Sequence, residues 1–187
     1  MASQLFTPIE IGDVAFPNRV VVAPMCQYSA DEGVPNDWHL MHLGQYAVSG
    51  AGLVIAEATA VEAIGRITPG CLGLYNDEQE DAFARIIAFF EAHGAAVPGI
   101  QLGHAGRKAS TNVPWQGGKP LSNDEGAWPT IGPSAVQFAD GWHTPVEMDR
   151  TDMDRVRDAF VASAKRADRV GFKLLELHGA HGYLMSA

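Results

Sequence analysis

The side chains best suited to catalysis are concentrated in the last dozen residues of the chain. His178 and His181 are three positions apart on a glycine-rich stretch, so a single turn can direct both imidazoles at one small acceptor. Tyr183 adds a phenol, which is a neutral proton donor. Such a cluster suits a reaction that polarises a substrate oxygen and protonates a neighbouring carbon. The sequence ends four residues later, which suggests that another segment completes the site.

The composition restricts the classes of protein to which the chain can belong. The 187 residues are 47% hydrophobic and 19% charged, which is typical of one globular domain with a substantial core, here 1–187. A formal charge of −9 argues against a nucleic-acid or anionic-membrane surface, because both favour basic proteins. The N-terminus has no signal-peptide pattern, and two cysteines are too few for a disulfide framework. We therefore expect a cytoplasmic protein that does not bind membranes.

Strand patterns indicate the elements that must position the cluster. Residues 9–16 alternate in polarity around a Gly-Asp turn and predict a short N-terminal hairpin. Four apolar runs then predict buried strands, at residues 20–23, 53–58, 97–102 and Leu174–Leu177. These runs lack the polar alternation of a half-solvated sheet, which favours parallel strands covered on both faces.

Helical patterns separate these strands. The predicted helices cover residues 38–49, 78–93 and 152–170. Asn76 or Asp77 is the expected N-cap of the second helix, and Thr151 is the expected N-cap of the third. Residues 106–147 show little periodicity and contain three of the four tryptophans, so we expect a long and functional excursion there.

The order of elements leaves two architectures open, a doubly wound sheet or part of a (β/α)8 barrel. No Gly-x-Gly-x-x-Gly opens a helix after the first strand, which weakens a dinucleotide-binding interpretation. Polar or reactive residues follow all four strands, as expected where strand ends converge on the mouth of a barrel. We therefore predict an α/β fold, the N-terminal half of a TIM barrel with about four β/α units and an N-terminal β-hairpin. Such a half barrel exposes two sheet edges that require cover.

At these positions the chain resembles the N-terminal half of an Old Yellow Enzyme family FMN-dependent ene-reductase. It is most similar to the cysteine-containing, xenobiotic-reductase-like subgroup. The motifs that carry the resemblance are collinear and span essentially the whole chain. They are Leu5-Phe6-Thr7-Pro8, Asn18-Arg19, Ala23-Pro24-Met25-Cys26-Gln27-Tyr28, Asn36-Asp37-Trp38-His39, 54–59, Gly65-Arg66-Ile67, 101–108, Ala135 and His178-Gly179-Ala180-His181-Gly182-Tyr183.

The resemblance implies a flavin site and a nicotinamide hydride donor. The residues it places against FMN are Ala23, Pro24, Met25, Cys26, Ala58, Gln101 and His178. The Cys26 thiol would tune the electronics of the flavin, and Ala58 would leave room for its ring. Gln101 can both donate and accept hydrogen bonds at the pyrimidine edge. NAD(P)H would reduce the flavin.

The resemblance also implies a substrate, an activated alkene such as an enone or a nitro compound. His178 and His181 would bind its oxygen, and Tyr183 would protonate the α-carbon. Tyr28 would assist oxygen binding from across the pocket. A zinc site is a weak alternative, because His-x-x-His lacks a nearby cysteine or carboxylate cluster, and we expect no metal. His39 and His42 are interpreted as structural, and Glu57 and Glu176 as buried groups that pair with bases such as Arg107.

Family members are about twice as long as this chain. The missing half would supply an arginine at the pyrimidine edge and the loops that hold the FMN phosphate, so the expected partner is a complementary C-terminal half barrel. The expected assembly is a homo- or hetero-oligomer. Two alternatives stay open: a non-catalytic half barrel that self-associates through its edges, and a dihydrouridine-synthase-like enzyme acting on RNA. The acidic charge and the His-x-x-His-x-Tyr motif both count against the RNA enzyme.

Overall fold

Four parallel strands form the central sheet of the computed structural model, which describes residues 3–187. The strands are β3 (Val21–Val22), β4 (Leu53–Ala60), β5 (Val97–Gly103) and β8 (Leu174–Leu177), adjacent in that order. Each connection between neighbouring strands is a crossover, as the sequence predicts. The first strand is shorter than the predicted 20–23, because only Val21 and Val22 pair with β4.

Three helices cover one face of this sheet: α1 (Asp37–Ala47), α2 (Asp77–His93) and α3 (Arg150–Val170). The main core lies between sheet and helices. Its largest fully buried members include Phe83 and Ile86 of α2 and Ile100 and Leu102 of β5. Alternate β5 residues therefore face the helices, which leaves Gly99, Gln101 and Gly103 on the opposite, inner face.

The N-terminal hairpin covers one end of that inner face. It consists of β1 (Ile9–Ile11) and β2 (Val14–Phe16), which are antiparallel and joined through Gly12 at φ +59°. Phe16 packs against Leu53 and Ile55 near the start of β4. The predicted hairpin is thus confirmed, and it fills the end of the half barrel away from the carboxyl ends of the strands.

A β-bulge interrupts the pairing of β4 with β5. Ala56 pairs with Ile100, but the next pair is Thr59 with Leu102, so Glu57 and Ala58 together oppose Gln101 alone. A bulge of this kind bends a strand and changes the direction of the residues that follow. The bulge lies directly before Thr59 and Ala60, the last two residues of the strand.

The helix caps differ in part from those that the sequence predicts. Asn76 caps α2, and Gly171 ends α3 in the left-handed conformation, as expected. Thr151 does not cap α3: the helix begins at Arg150, and Asp149 accepts the backbone N–H of Asp152. The prediction was wrong because Asp149 and Asp152 form an equivalent capping box two residues earlier.

The long connection between β5 and α3 contains little regular structure, as the sequence predicts. It includes three short 3₁₀ turns and one two-residue parallel pair, β6 (Ile131–Gly132) with β7 (Val146–Glu147). The central sheet itself is open, since β3 and β8 each have one neighbour. In residues 3–187 no helix is long and apolar enough to cross a membrane.

Candidate active site

A cavity lies beyond the carboxyl ends of β4, β5 and β8. Its volume is about 20 Å³, enough for roughly one water molecule. Ala58 and Ala60 line it from β4, Gly103 lines it from the end of β5, and His178 and Tyr183 line it from the segment after β8. A Cβ added to Gly103 would stand 3.4 Å from the Cβ of His178, so the small residue brings these two segments into contact. The structure therefore brings together residues that the sequence separates by more than a hundred positions.

Three aromatic rings form a cluster beside this cavity, and two of them, His178 and Tyr183, line it. The centroids of His178 and Tyr183 are 4.7 Å apart, and those of His178 and His181 are 5.1 Å apart. His181 and Tyr183 are separated by 6.4 Å, and all three pairs have edge-to-face geometry. The cluster suggested by the spacing of these residues is thus present. His181 is the most exposed of the three.

The backbone that carries the cluster adopts an unusual conformation. His181 has φ +61°, a left-handed value that costs energy for a residue with a side chain. The carbonyl of His181 accepts a hydrogen bond from Lys108 Nζ at 2.9 Å, and this ammonium lies 4.9 Å from the centroid of the Tyr183 ring. Lys108 thus stabilises the strained turn by a hydrogen bond and a cation–π contact.

The titration of the cluster fits hydrogen-bond donation. Burial raises the pKa of Tyr183 to about 12, so the phenol stays protonated in neutral solution. Burial, followed by the neighbouring His181, lowers the pKa of His178. Its Nδ1 accepts the backbone N–H of Ala180 at 3.4 Å, so the neutral ring carries its proton on Nε2. Both groups can therefore donate to a substrate oxygen without a net charge.

Cys26 and Tyr28 lie on the segment after β3. Tyr28 also has a left-handed backbone, at φ +52°, and its ring meets Trp115 edge-to-face with centroids 5.5 Å apart. Burial is the main cause that raises the pKa of the half-buried Cys26 to about 12, with smaller contributions from Cys71 and Glu57. Burial also raises the pKa of Tyr28, and Tyr183 is among the neighbours that add to the shift. Both side chains are neutral donors.

Glu57 holds this segment from the β4 bulge. Its carboxyl accepts the backbone N–H of Gln27 at 3.0 Å, and His39 Nε2 is 3.6 Å from its other oxygen. Burial raises the pKa of Glu57 to about 8, even though backbone N–H groups of Gln27 and Tyr28 oppose the shift. Burial lowers the pKa of His39 to about 4, so the pair meets as two neutral groups at pH 7. His39 also accepts the N–H of Asn36 at the start of α1, in agreement with a structural role.

The expected pairing of the two buried glutamates with Arg107 was wrong. Among the described residues Arg107 forms no ion pair with Glu57 or Glu176. Glu176 instead accepts a hydrogen bond from Gln101 Nε2 at 2.8 Å, on the inner face of the sheet. Gln101 and Glu176 are opposite each other on neighbouring strands, so the amide reaches the carboxyl directly. Arg107 lies in the loop after β5 and would have to extend back over the sheet.

The remaining predicted residues lie on the same side of the sheet ends. Ala23, Pro24 and Met25 connect β3 to Cys26 in a segment without regular structure, and Ala23 and Met25 are exposed. Sequence reasoning missed Lys108 and Trp115 as neighbours of the cluster, because both belong to the aperiodic loop whose path the sequence does not indicate. Across residues 3–187 no group of three His, Cys, Asp or Glu side chains gathers as a metal site.

Comparison with known proteins gives a consistent result. The profile of the NADH:flavin oxidoreductase / NADH oxidase family matches residues 4–187. An NADH:flavin oxidoreductase of Gibberella zeae is 45% identical over 188 residues, which are 98% of this chain and 45% of that protein. An NADPH dehydrogenase of Geobacillus sp. (strain WCH70) is 40% identical, over all of this chain and 51% of its own length.

Solved structures agree. Morphinone reductase in complex with tetrahydroNAD has a TM-score of 0.81 and 28% identity, over 98% of this chain and 51% of that one. Old Yellow Enzyme from Pichia sp. AKU4542 has a TM-score of 0.84 and 26% identity, over 98% and 47%. The chain spans about half the length of the curated relatives it matches. The predicted half barrel and the predicted resemblance are both confirmed.

Proposed function

Because the chain belongs to the NADH:flavin oxidoreductase / NADH oxidase family, we propose that it is the N-terminal half of an FMN-dependent ene-reductase. The enzyme reduces activated alkenes such as enones, and nitro compounds, with NAD(P)H. The observation that carries this proposal is the cluster of His178, His181 and Tyr183 at the carboxyl ends of the strands, where His178 and Tyr183 line the cavity. That arrangement of hydrogen-bond donors suits an acceptor oxygen next to a carbon that must be protonated.

His178 and His181 bind the substrate oxygen in this proposal. The Nε2–H of His178 donates to a carbonyl or nitro oxygen, because its Nδ1 is occupied by the Ala180 amide. Two donors on one oxygen withdraw electron density from the conjugated double bond, which makes its β-carbon electrophilic. Tyr28 assists from the facing segment, where burial keeps its phenol protonated.

Tyr183 protonates the α-carbon. A phenol with a pKa of about 12 is a weak acid in the resting site, so it retains its proton until carbanion character develops on the substrate. The ammonium of Lys108, close to the ring, favours the phenolate that remains after transfer. The same ammonium donates a hydrogen bond to the carbonyl of His181. Lys108 therefore contacts both the turn that carries an oxygen-binding histidine and the tyrosine that donates the proton.

The residues present fit the isoalloxazine part of FMN. The inner face offers small residues at Ala58 and Gly103, and Gln101 uses only its amide nitrogen, on Glu176, so its oxygen is free to accept from a ring N–H. The residues that would hold the ring are Ala23, Pro24, Met25, Cys26, Ala58, Gln101 and His178. When bound, FMN supplies the hydride that it takes from NAD(P)H in a ping-pong cycle.

A complementary half barrel completes the site. Phosphate sites in barrels form after the seventh and eighth strands, which this chain lacks. The surface where a fifth β/α unit would pack is apolar and includes Met153, Val161, Leu177 and Met185. In this proposal the substrate is a small electron-poor alkene, and residues 1–187 form one structural unit of the assembly.

The test is a fusion of this chain to the C-terminal half of the Geobacillus NADPH dehydrogenase, which is 40% identical over the shared half. We expect the fusion to retain FMN through desalting and to oxidise NADPH when an enone is added. The double variant His178→Asn/His181→Asn should keep most of its FMN, because six of the seven residues that would hold the ring remain, and should lose enone reduction. A soluble fusion that retains FMN but leaves the enone unchanged would overturn the proposed activity, and one that retains no FMN would overturn the proposed cofactor.

The same apolar surface favours a second candidate, a non-catalytic half barrel that pairs with its own copy. Exposed edges of β3 and β8 are templates for pairing. Size-exclusion chromatography of the chain alone, with and without FMN, separates the two candidates. A stable, flavin-free homodimer that the complementary half cannot dissociate would favour self-association.

A further inference from the structure

A charged network lies behind the cavity and connects three segments. His104, after β5, has its Nε2 2.7 Å from a carboxyl oxygen of Glu62, which follows β4. Arg155 of α3 binds the other oxygen of the same carboxylate. His104 is buried with 3% of its surface exposed. Burial would raise the pKa of Glu62, but hydrogen bonds from His104 and Arg155 outweigh it and lower the pKa, so the carboxylate stays ionised.

Hydrogen bonds fix the state and the place of His104. The backbone N–H of Gly106 donates to its Nδ1 at 3.0 Å, so the neutral ring carries its proton on Nε2 and donates it to Glu62. The backbone N–H of Ala105 donates to the carbonyl of Gly65 at 2.8 Å. The loops after β4 and β5 are therefore joined at His104 and Ala105 by a side-chain bond and a backbone bond, and Thr111 adds bonds to the carbonyl of Ile67.

This network reaches the residue next to Tyr183. The carbonyl of His104 accepts the backbone N–H of Leu184 at 3.0 Å. A Cβ added to Gly106 would stand only 3.0 Å from the Cα of Leu184, so the two backbones are in direct contact. Leu184 is itself buried, and it packs with Val156 of α3, one residue beyond Arg155. The backbone next to Tyr183 is therefore held by two contacts of Leu184, a hydrogen bond to His104 and packing against α3.

We propose that Arg155, Glu62 and His104 are positioning residues that set the backbone of Tyr183 through the His104–Leu184 hydrogen bond. None of the three is needed as a proton donor: they act by fixing where the phenol lies. An ionised carboxylate between a guanidinium and a ring N–H gives a directional contact that apolar packing at the same place does not. The catalytic consequence rests on the proposed role of Tyr183, whereas the structural part is independent of it.

The experiment uses two substitutions of His104 that separate its two bonds. In His104→Gln the amide nitrogen can reach the position of Nε2 and keep the bond to Glu62. In His104→Asn the amide oxygen takes the position of Nδ1, which keeps the bond from the Gly106 N–H but loses the bond to Glu62. Hydrogen exchange of the Leu184 amide in the full chain is the first measurement. We expect exchange of the Leu184 amide to accelerate about tenfold in His104→Asn, because this variant loses one charge-assisted hydrogen bond. Exchange should stay near the original rate in His104→Gln, which keeps that bond.

Arginine variants provide the matched control. Arg155→Met should accelerate Leu184 exchange, whereas Arg85→Met, which removes an exposed ion pair to Asp37, should not. Exchange in the β4 amides detects general unfolding. Equal exchange in His104→Asn and His104→Gln, or acceleration of β4 to the same extent as Leu184, would overturn the proposal.

A second measurement tests the consequence for catalysis in the fused enzyme described above. We expect His104→Asn to lower kcat with KM for the enone unchanged, and His104→Gln to restore kcat. If Leu184 exchange responds while kcat does not, the positioning is real but the role of Tyr183 is wrong. If kcat falls with unchanged exchange, the proposed network is wrong.

Discussion

Tyr183 is the residue at which burial and chemistry are most closely linked. Burial raises the pKa of its phenol to about 12, which makes it a weaker acid than a free tyrosine, and its ring centroid lies 4.7 Å from that of His178. We expect Tyr183→Phe to lower kcat of the fused enzyme by roughly a hundredfold, the usual loss when a general acid is removed. Binding of the oxygen should persist, because both histidines remain.

The control for this prediction is Tyr46→Phe, which removes a hydroxyl on α1 outside the cavity. Stopped-flow measurement of flavin reoxidation by an enone reports the affected step directly. An unchanged rate in Tyr183→Phe would assign protonation to another group.

Cys26 should be unreactive for the same reason. Its pKa of about 12 leaves almost no thiolate at pH 8, and the thiolate is the nucleophile. Alkylation of Cys26 by iodoacetamide should therefore be at least roughly a hundredfold slower than that of free cysteine. Mass spectrometry of the labelled peptides distinguishes Cys26 from the buried Cys71. Rapid labelling that does not depend on pH would contradict the neutral thiol.

Glu57 should make the stability of the chain depend on pH. Its pKa is raised from 4.5 in the unfolded chain to about 8 in the fold, so its contribution to stability is complete below pH 4.5, is lost progressively as pH rises from 4.5 to 8, and does not change further above 8. The free energy of unfolding should fall between pH 7 and 8 by up to about 1.4 kcal/mol per pH unit. His39 contributes little in this window, because it is neutral in the fold and largely neutral in the unfolded chain above pH 7.

Urea unfolding at pH 7 and pH 8 measures this slope. Glu57→Gln mimics the protonated carboxyl and should abolish the dependence, whereas Glu10→Gln, at an exposed position of β1, should retain it. A slope that persists in Glu57→Gln would place the titrating group elsewhere.

At the scale of elements, the cap of α3 can be tested directly. Asp149 accepts the N–H of Asp152 at 2.9 Å, while Thr151 lies within the helix. Asp149→Ala should lower the free energy of unfolding by about 1 kcal/mol, and Thr151→Ala should have little effect. Thermal or urea unfolding of the two variants compares them. The opposite ranking would restore the cap that the sequence predicts.

Regular elements were predictable because their signals are local. The hairpin, the strands β4, β5 and β8 and the bounds of α2 follow from apolar period and from Asn and Gly caps within a few residues. The prediction that residues 174–177 are buried was wrong, because β8 is an edge strand of the described sheet and leaves Leu175 and Leu177 exposed. Local signals were insufficient for α3, since Asp149 and Thr151 are both good caps and only the tertiary position of the helix selects one. The short length of β3 likewise depends on its partner, β4, rather than on its own apolar residues.

The geometry of the candidate site was predictable in part, but the residues that support it were not. His178, His181 and Tyr183 are adjacent in sequence, and the strand ends placed Cys26 and Gln101 near them. Lys108 reaches the cluster across a separation of 73 residues, and Arg155 reaches Glu62 across 93. Such contacts depend on the path of an aperiodic loop and on how a helix packs, which no short pattern records.

At the scale of the whole molecule, the apolar surface at the open end should control association. Val161 and Leu177 are 46% and 56% exposed there. We expect the chain alone to self-associate. The double variant Val161→Lys/Leu177→Lys should self-associate less, because charged side chains at a sheet edge or on an apolar surface oppose pairing. Val48→Lys, at the 55% exposed end of α1, is the matched control. Analytical ultracentrifugation measures the effect, and equal association of both variants would exclude this surface.

The bulge in β4 has a consequence for how this sequence can change over generations. Because Glu57 and Ala58 share one partner position, the strand carries one residue more than its neighbour β5. Loss of one of the two would leave Thr59 opposite Leu102 and Ala60 opposite Gly103, so the faces of the following residues would not change, but the bend at the end of β4 would be lost. Related chains should therefore either keep two residues at this point or differ in the direction of the strand end. An alignment that opens a gap here would mark loss of the bulge and not a change of face.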